Sequence, residues 1–149
     1  MALMLVGFGL KDSCYEIANL QFAEIQFYDG SIYLTEDITK EQQGEIEEAL
    51  DDESQVDVYM DAYMQNITLV NGKKERAAYA CVFGNVEDIL QFVDFHDRKT
   101  KEGYELTDDG VIVSEKTAKL LNAKKGDTIE IKDEENGNKK VKIRQICEN

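Results

Sequence analysis

The side chains able to act as nucleophiles, bases or metal ligands are few. Cysteines stand at Cys14, Cys81 and Cys147, and the single histidine is His96. An odd set of cysteines without a CxxC pair fits neither a disulfide scaffold nor a zinc site. The plain reading of each is a small buried hydrophobe. The sharper reading is a catalytic cysteine with His96 as its base, a pairing that nothing local in the sequence supports. A lone histidine rules out a multi-histidine metal centre, and its plain reading is a polar loop residue. Asp57 and Asp61 could act as an acid–base carboxylate pair. They fall on the polar face of an expected strand, where solvated carboxylates are ordinary. Asp51, Asp52 and Glu53 are contiguous and do not match the ligand spacing of an EF-hand loop around its glycine. No catalytic, cofactor-binding or metal-binding residue is assigned on these grounds.

The elements that must position these residues follow from periodicity and caps. Residues 1–10 are nearly all apolar, a stretch too short to span a bilayer and without the basic start and cleavage site of a signal peptide. They read as a buried helix or as the outer end of a membrane helix. Leu10, Cys14, Ile17 and Leu20 keep helical spacing, which predicts one helix over about 3–23 despite Gly7 and Gly9. A strand is expected at 31–34. Thr39 with Gln42 forms a capping-box pattern and opens a helix to about Leu50, with Ile46, Ala49 and Leu50 as its apolar stripe. Residues 55–64 alternate strictly, with Val56, Val58, Met60, Ala62 and Met64 on one face, which predicts a half-buried strand. A phase change near Gln65 and Asn66 suggests a bulge before 67–70. Asn71-Gly72 signals a hairpin with a return strand at 77–83.

Further on, Asn85 can cap a short helix carrying Ile89, Leu90, Phe92 and Val93. Residues 94–109 read as a polar loop. A short strand is expected at 110–113, then a helix from its cap Ser114 to about Asn122, with Ala118 and Leu121 on one face. Lys124 and Lys125 suit the helix's C-terminal end. Gly126 turns the chain into a hairpin, Thr128 to Ile131 and Val141 to Ile146, closed by Asn136-Gly137. Strands and helices mix without a βαβ rhythm. The class is therefore α+β, a mixed and mainly antiparallel sheet with flanking helices and a C-terminal helix–hairpin element.

The chain has 149 residues, enough for one domain with a real core. Its net charge of −14 is uneven. Residues 1–75 hold four basic and 16 acidic side chains, whereas 76–149 hold 13 and 15. The peak is 35–53, with nine acids and one lysine, read as a solvated helix face or as a surface for a cation or basic peptide. So acidic a chain is a poor nucleic-acid binder and a poor basic patch for anionic lipid.

Residues 109–131, DGVIVSEKTAKLLNAKKGDTIEI, resemble a segment of the extracellular domains of FtsX-like ABC-transporter permeases, the group with a MacB-like core domain. Asp109, Gly110, Val111, Ile112, Ser114, Ala118, Leu121, Gly126, Asp127 and Ile129 carry the resemblance. LVGFGLKDS at 5–13 and QFAEIQFYD at 21–29 resemble a chain leaving a membrane helix into such a domain, and ICEN at 146–149 resembles the passage onward. Asp109, Gly110, Ser114, Gly126 and Asp127 are the structural motif, with no catalytic role.

The resemblance implies a single extracytoplasmic domain, of which this chain need not be the whole, held to the cell membrane by flanking helices. It implies a separate cytosolic ABC ATPase subunit, and a second permease copy or an accessory protein as partner. The P-loop pattern GxxxxGK[ST] is absent from the sequence. Expected work is mechanical, transmitting helix motions to peptide, lipoprotein or antibiotic substrates or to a partner. A competing reading, favoured by reduced cysteines and a Met start, is a stand-alone cytosolic binding or regulatory module with a small β-barrel-like C-terminal element, since a helix followed by KxGDxIxI also occurs in small β-barrels.

Overall fold

A computed structural model describes residues 2–35, 37–133 and 137–148, and of 2–9 the backbone alone. Five strands form one sheet. They are β1 (Ala62–Asn71), β2 (Lys74–Phe83), β3 (Val111–Ser114), β4 (Thr128–Lys132) and β5 (Lys139–Cys147), in the order β2-β1-β4-β5-β3. All neighbours are antiparallel except β3 and β5, which run parallel. The fold is α+β with a mixed, mostly antiparallel sheet.

Helix α3 (Glu115–Leu121) lies across the sheet and closes the core. Its start is fixed by Ser114, whose Oγ accepts from the Thr117 amide at 3.4 Å. Its end is fixed by Asn122, left-handed at φ 52°, with the Ala123 amide donating to the Ala118 carbonyl at 2.9 Å. This early stop leaves Lys124 and Lys125 beyond the helix, and Lys119 is the cation of its last turn. Ala118 and Leu121 point inward and meet Ile67, Leu69, Val113, Ile129 and Ile143. Leu121, Ile129 and Ile143 are fully buried. Burying each such side chain is worth about 1.5–3 kcal/mol, so this cluster drives the fold.

The first half is built differently. Helix α1 (Ala2–Asn19) continues into a π-helical turn, Leu20–Ile25, rather than running as one α-helix to 23. Residues 10–19 are exposed and Ile25 is buried. The strand expected at 31–34 is irregular chain, with Ile32, Tyr33 and Leu34 exposed. Helix α2 (Lys40–Leu50) has the full capping box: Thr39 Oγ1 accepts from the Gln42 amide at 3.2 Å, and Gln42 Oε1 accepts from the Thr39 amide at 3.0 Å. It buries no side chain, so its apolar stripe is not a packed face.

The strand predicted at 55–64 begins only at Ala62 and runs unbroken to Asn71, with no bulge at Gln65 or Asn66. Alternation at 55–61 meets no neighbouring strand, and a strand without a partner has no ladder to hold it. Asp57 and Asp61 consequently lie in irregular chain, not on a strand face. The hairpin turn is Gly72–Lys73, between paired Asn71 and Lys74, with Gly72 at φ 61°. Of the expected β4–β5 turn, Asn136 lies outside the described residues and Gly137 has φ 77°. Asn149 of the ICEN segment also lies outside them.

Candidate functional site

The polar loop at 94–104 sets the buried His96 among charged side chains. Its scaffold is a short 3-10 turn, Asp88–Gln91, whose Ile89 is 1% exposed. Asn85 precedes it and accepts from the Glu87 amide at 3.0 Å. The loop folds on itself. The Asp97 amide donates to the Glu102 carbonyl at 3.0 Å, the Tyr104 amide to the Phe95 carbonyl at 2.6 Å, and Asp97 Oδ1 accepts from the Lys99 and Thr100 amides at 2.8 Å. Those last two bonds, from Thr100 and then Lys99, hold the Asp97 carboxyl below its ordinary value.

Two distant segments dock on this loop. From the N-terminal side, the Ile25 carbonyl accepts from the Asp94 amide at 2.9 Å and the Phe27 amide donates to the Phe92 carbonyl at 2.8 Å. From the C-terminal side, the Glu148 amide donates to the His96 carbonyl at 2.9 Å. His96, expected to be an ordinary polar residue, is instead buried between two carboxylates. Its Nδ1 lies 2.9 Å from Asp94 Oδ2 and its Nε2 lies 2.9 Å from Glu148 Oε2. A ring nitrogen that carries a proton donates to the carboxylate it faces, and Lys101 Nζ lies 3.3 Å from Nε2.

Glu148 gathers the cluster. Lys101 Nζ donates to its Oε2 at 2.8 Å and Arg98 Nη1 lies 3.2 Å from its Oε1. Lys101 also faces Glu24 at 3.7 Å, and Arg98 Nε donates to Glu115 at 2.7 Å. Burial alone would raise the Glu148 carboxyl. The hydrogen bonds from Lys101 and His96 and the charges of Lys101 and Arg98 outweigh it and hold the group below its ordinary value. The bond to Glu148 in turn raises the Lys101 ammonium, against partial desolvation. Lys101 is held at φ 56°, in the left-handed region that a lysine seldom occupies. The local backbone accepts that strain while its ammonium sits between Glu24 and Glu148.

Four of the five motif residues meet β5 at 142–144, and Ser114 lies farther along it. Asp109 accepts from Thr107 Oγ1 at 2.6 Å and pairs with Arg144. That hydroxyl first, then Arg144, keeps its carboxyl low. Gly110 passes so close to β5 that a Cβ there would lie 2.5 Å from the Lys142 carbonyl oxygen and against the Arg144 side chain. Ser114 caps α3 and pairs with Cys147 across the parallel strands. Gly126, at φ 92°, donates to the Ile143 carbonyl at 2.8 Å. Asp127 Oδ2 accepts from the Lys124 amide at 2.8 Å.

The cysteines do not meet His96 in any contact described. Cys14 and Cys81 are exposed, not buried hydrophobes as expected. Cys147 is buried, which pushes its thiol up to about 11, the wrong direction for a nucleophile. Among the described residues no group of three or more His, Cys, Asp or Glu side chains could hold a metal ion. Asp52, after α2, caps a turn by accepting from the Ser54 hydroxyl at 2.6 Å, and Asp51 accepts from Tyr59 at 2.9 Å. An open cleft of about 340 Å³ beside the His96 cluster, with Asp97, Tyr104, Glu115, Lys125 and Gln145 in its wall, contains neither cysteine nor histidine. What the cluster around buried His96 and Glu148 can do is fasten three segments to one another. Sequence missed it because its bonds reach across 47 and 52 residues and no periodicity marks them.

No protein-family model matches the chain, and neither a curated protein nor a solved structure does. Among the described residues no helix is long and apolar enough to cross a membrane.

Proposed function

We propose that this chain is a non-catalytic extracytoplasmic domain of an FtsX-like ABC-transporter permease, contacting substrate or a partner and passing on motion from membrane helices. One observation carries the reading. Lys101 ties Glu24, on the N-terminal approach, to Glu148, at the C-terminal exit, through contacts of 3.7 and 2.8 Å. A domain set between two membrane helices must bring its approach and exit back to one place. A charged node joining the two would make a shift of one helix felt by the other and by the core behind it. In this reading the apolar stretch 2–10 is the outer end of one such helix. ATP hydrolysis belongs to a cytosolic ABC ATPase subunit, and a second permease copy or an accessory protein meets the domain outside the cell membrane.

A second reading, a stand-alone cytosolic regulatory module, draws on the exposed thiols of Cys14 and Cys81, which suit a reducing compartment. One experiment separates the two. Gln43→Cys places a thiol on exposed α2 of the full-length protein, with Cys14, Cys81 and Cys147 replaced. Labelling of intact cells by a membrane-impermeant maleimide is the expected result. Labelling only after lysis would overturn the permease reading and leave the cytosolic module.

A further inference from the structure

The outer edge of β2 is left open. Strand β2 hydrogen-bonds to β1 alone, and among the described residues no strand or bridge lies on its other side. It is ten residues long. The chain has no proline, and β2 keeps its charges, Lys74, Glu75 and Arg76, at the turn end; α3 packs against the strand, and from Ala77 to Phe83 it carries no charge. Ala78 and Ala80 pack on the core, whereas Tyr79 is 72% and Val82 61% exposed, beside Tyr63 and Met64 of β1. Such an edge is a template for another strand.

The charges at the two ends of β2 say which strand fits. The turn end, Lys73, Lys74, Glu75 and Arg76, carries three cations and one carboxylate, whereas the exit end, 84–88, carries Glu87 and Asp88 and no cation. A second copy laid antiparallel brings the positive end of each strand to the negative end of the other. A parallel copy would put like on like. We propose that two copies of this chain associate edge to edge through β2, antiparallel about a two-fold axis at Ala80. This register sets Ala78 opposite Val82 of the second copy, Tyr79 opposite Cys81 and Ala77 opposite Phe83. Beyond the paired strands, the hairpin turn with Lys73 comes to the same end of the seam as the second copy's 84–88 segment with Glu87. Two five-stranded sheets become one continuous sheet. The net charge of −14 opposes association.

The inference does not depend on the permease reading, because its test uses the purified chain alone. Sedimentation velocity is run at rising concentration to about 1 mM, the weak end of specific association. The unaltered chain is expected to dimerise. Lys73→Glu and Glu87→Lys, both on exposed side chains, should each weaken the dimer by about tenfold, since each sets like charges across both ends of the seam. Equimolar mixing of the two variants should restore it, because every facing pair is then opposite in sign. Lys139→Glu, away from β2, controls for net charge, and circular dichroism checks that each variant is folded. A chain monomeric at every concentration overturns the proposal. So does a dimer that both variants keep, or one that mixing fails to restore. Association of β2 with an added extended peptide while the chain itself stays monomeric would assign the edge to a foreign strand and overturn it equally.

Discussion

Among the described residues, 10–61 bury one side chain, Ile25, whereas every other buried side chain lies in 62–148. Yet the first part contains two helices. Its order comes from local hydrogen bonds: the reciprocal cap of Thr39 and Gln42, the turn held by Asp52, and a π-helical turn that lowers Ile25 into the 92–94 segment. The second part is ordered by burial, with Ile143 at 0% exposure under α3. Local bonds can shape a helix, but only apolar burial and desolvated charge make its loss costly to the whole molecule.

The sharpest test of this contrast is Ile143→Ala beside Ile46→Ala. The first opens a cavity in the closed core and should cost about 2–5 kcal/mol in urea unfolding. The second alters a half-exposed site on α2 and should cost less than about 1 kcal/mol. Equal losses would mean that α2 belongs to the cooperative unit. Gly110→Val comes next. Its Cβ would strike the Lys142 carbonyl, so β3 must lift from β5, and the thermal midpoint should fall by an amount matching about 1–3 kcal/mol. An unchanged midpoint would mean that the β3–β5 contact is looser than its geometry.

The charged node gives a smaller, pH-dependent effect. Glu148 titrates below its ordinary 4.5 when folded, so it stabilises above 4.5 and that contribution is lost as pH falls through the folded value. Glu148→Gln should therefore show a shallower loss of stability on acidification, read as the urea midpoint against pH. An acid limb as steep as before would place the sensitivity among other carboxylates. Smallest of all is Thr39→Ala. It should weaken α2 by about 1 kcal/mol, visible as faster amide exchange over 40–50, while the global midpoint stays put.

The legible parts of the sequence were those written in neighbouring residues. Thr39 with Gln42, Ser114 before α3, the positive-φ turns at Gly72 and Gly126, and the β4–β5 pairing all rest on short-range chemistry. Residues 55–61 carried a strand's alternation and formed none, because a strand is completed by a partner that sequence spacing does not name. His96 gave no signal at all. Its burial depends on Glu148, 52 residues away, arriving with a carboxylate already neutralised by Lys101 and Arg98. The two exposed cysteines follow from the same cause, since among the described residues nothing covers Cys14 on α1 or Cys81 on β2.

The sheet order holds a consequence for the making of the molecule. The last strand in the chain, β5, is an interior one, flanked by β4 and β3. During synthesis β1, β2, β3, α3 and β4 all leave the ribosome before the strand that joins β3 to the rest. The β1–β2 hairpin can close early, but the core cannot seal until residue 143 is out, and the His96 node must wait for residue 148. At about 5–20 residues per second, the nascent chain spends seconds with Ile129, Leu121 and its open edges uncovered. A ribosome-stalled chain ending before Lys139 should accordingly remain open to protease across α3, and one extended well past Glu148 should not.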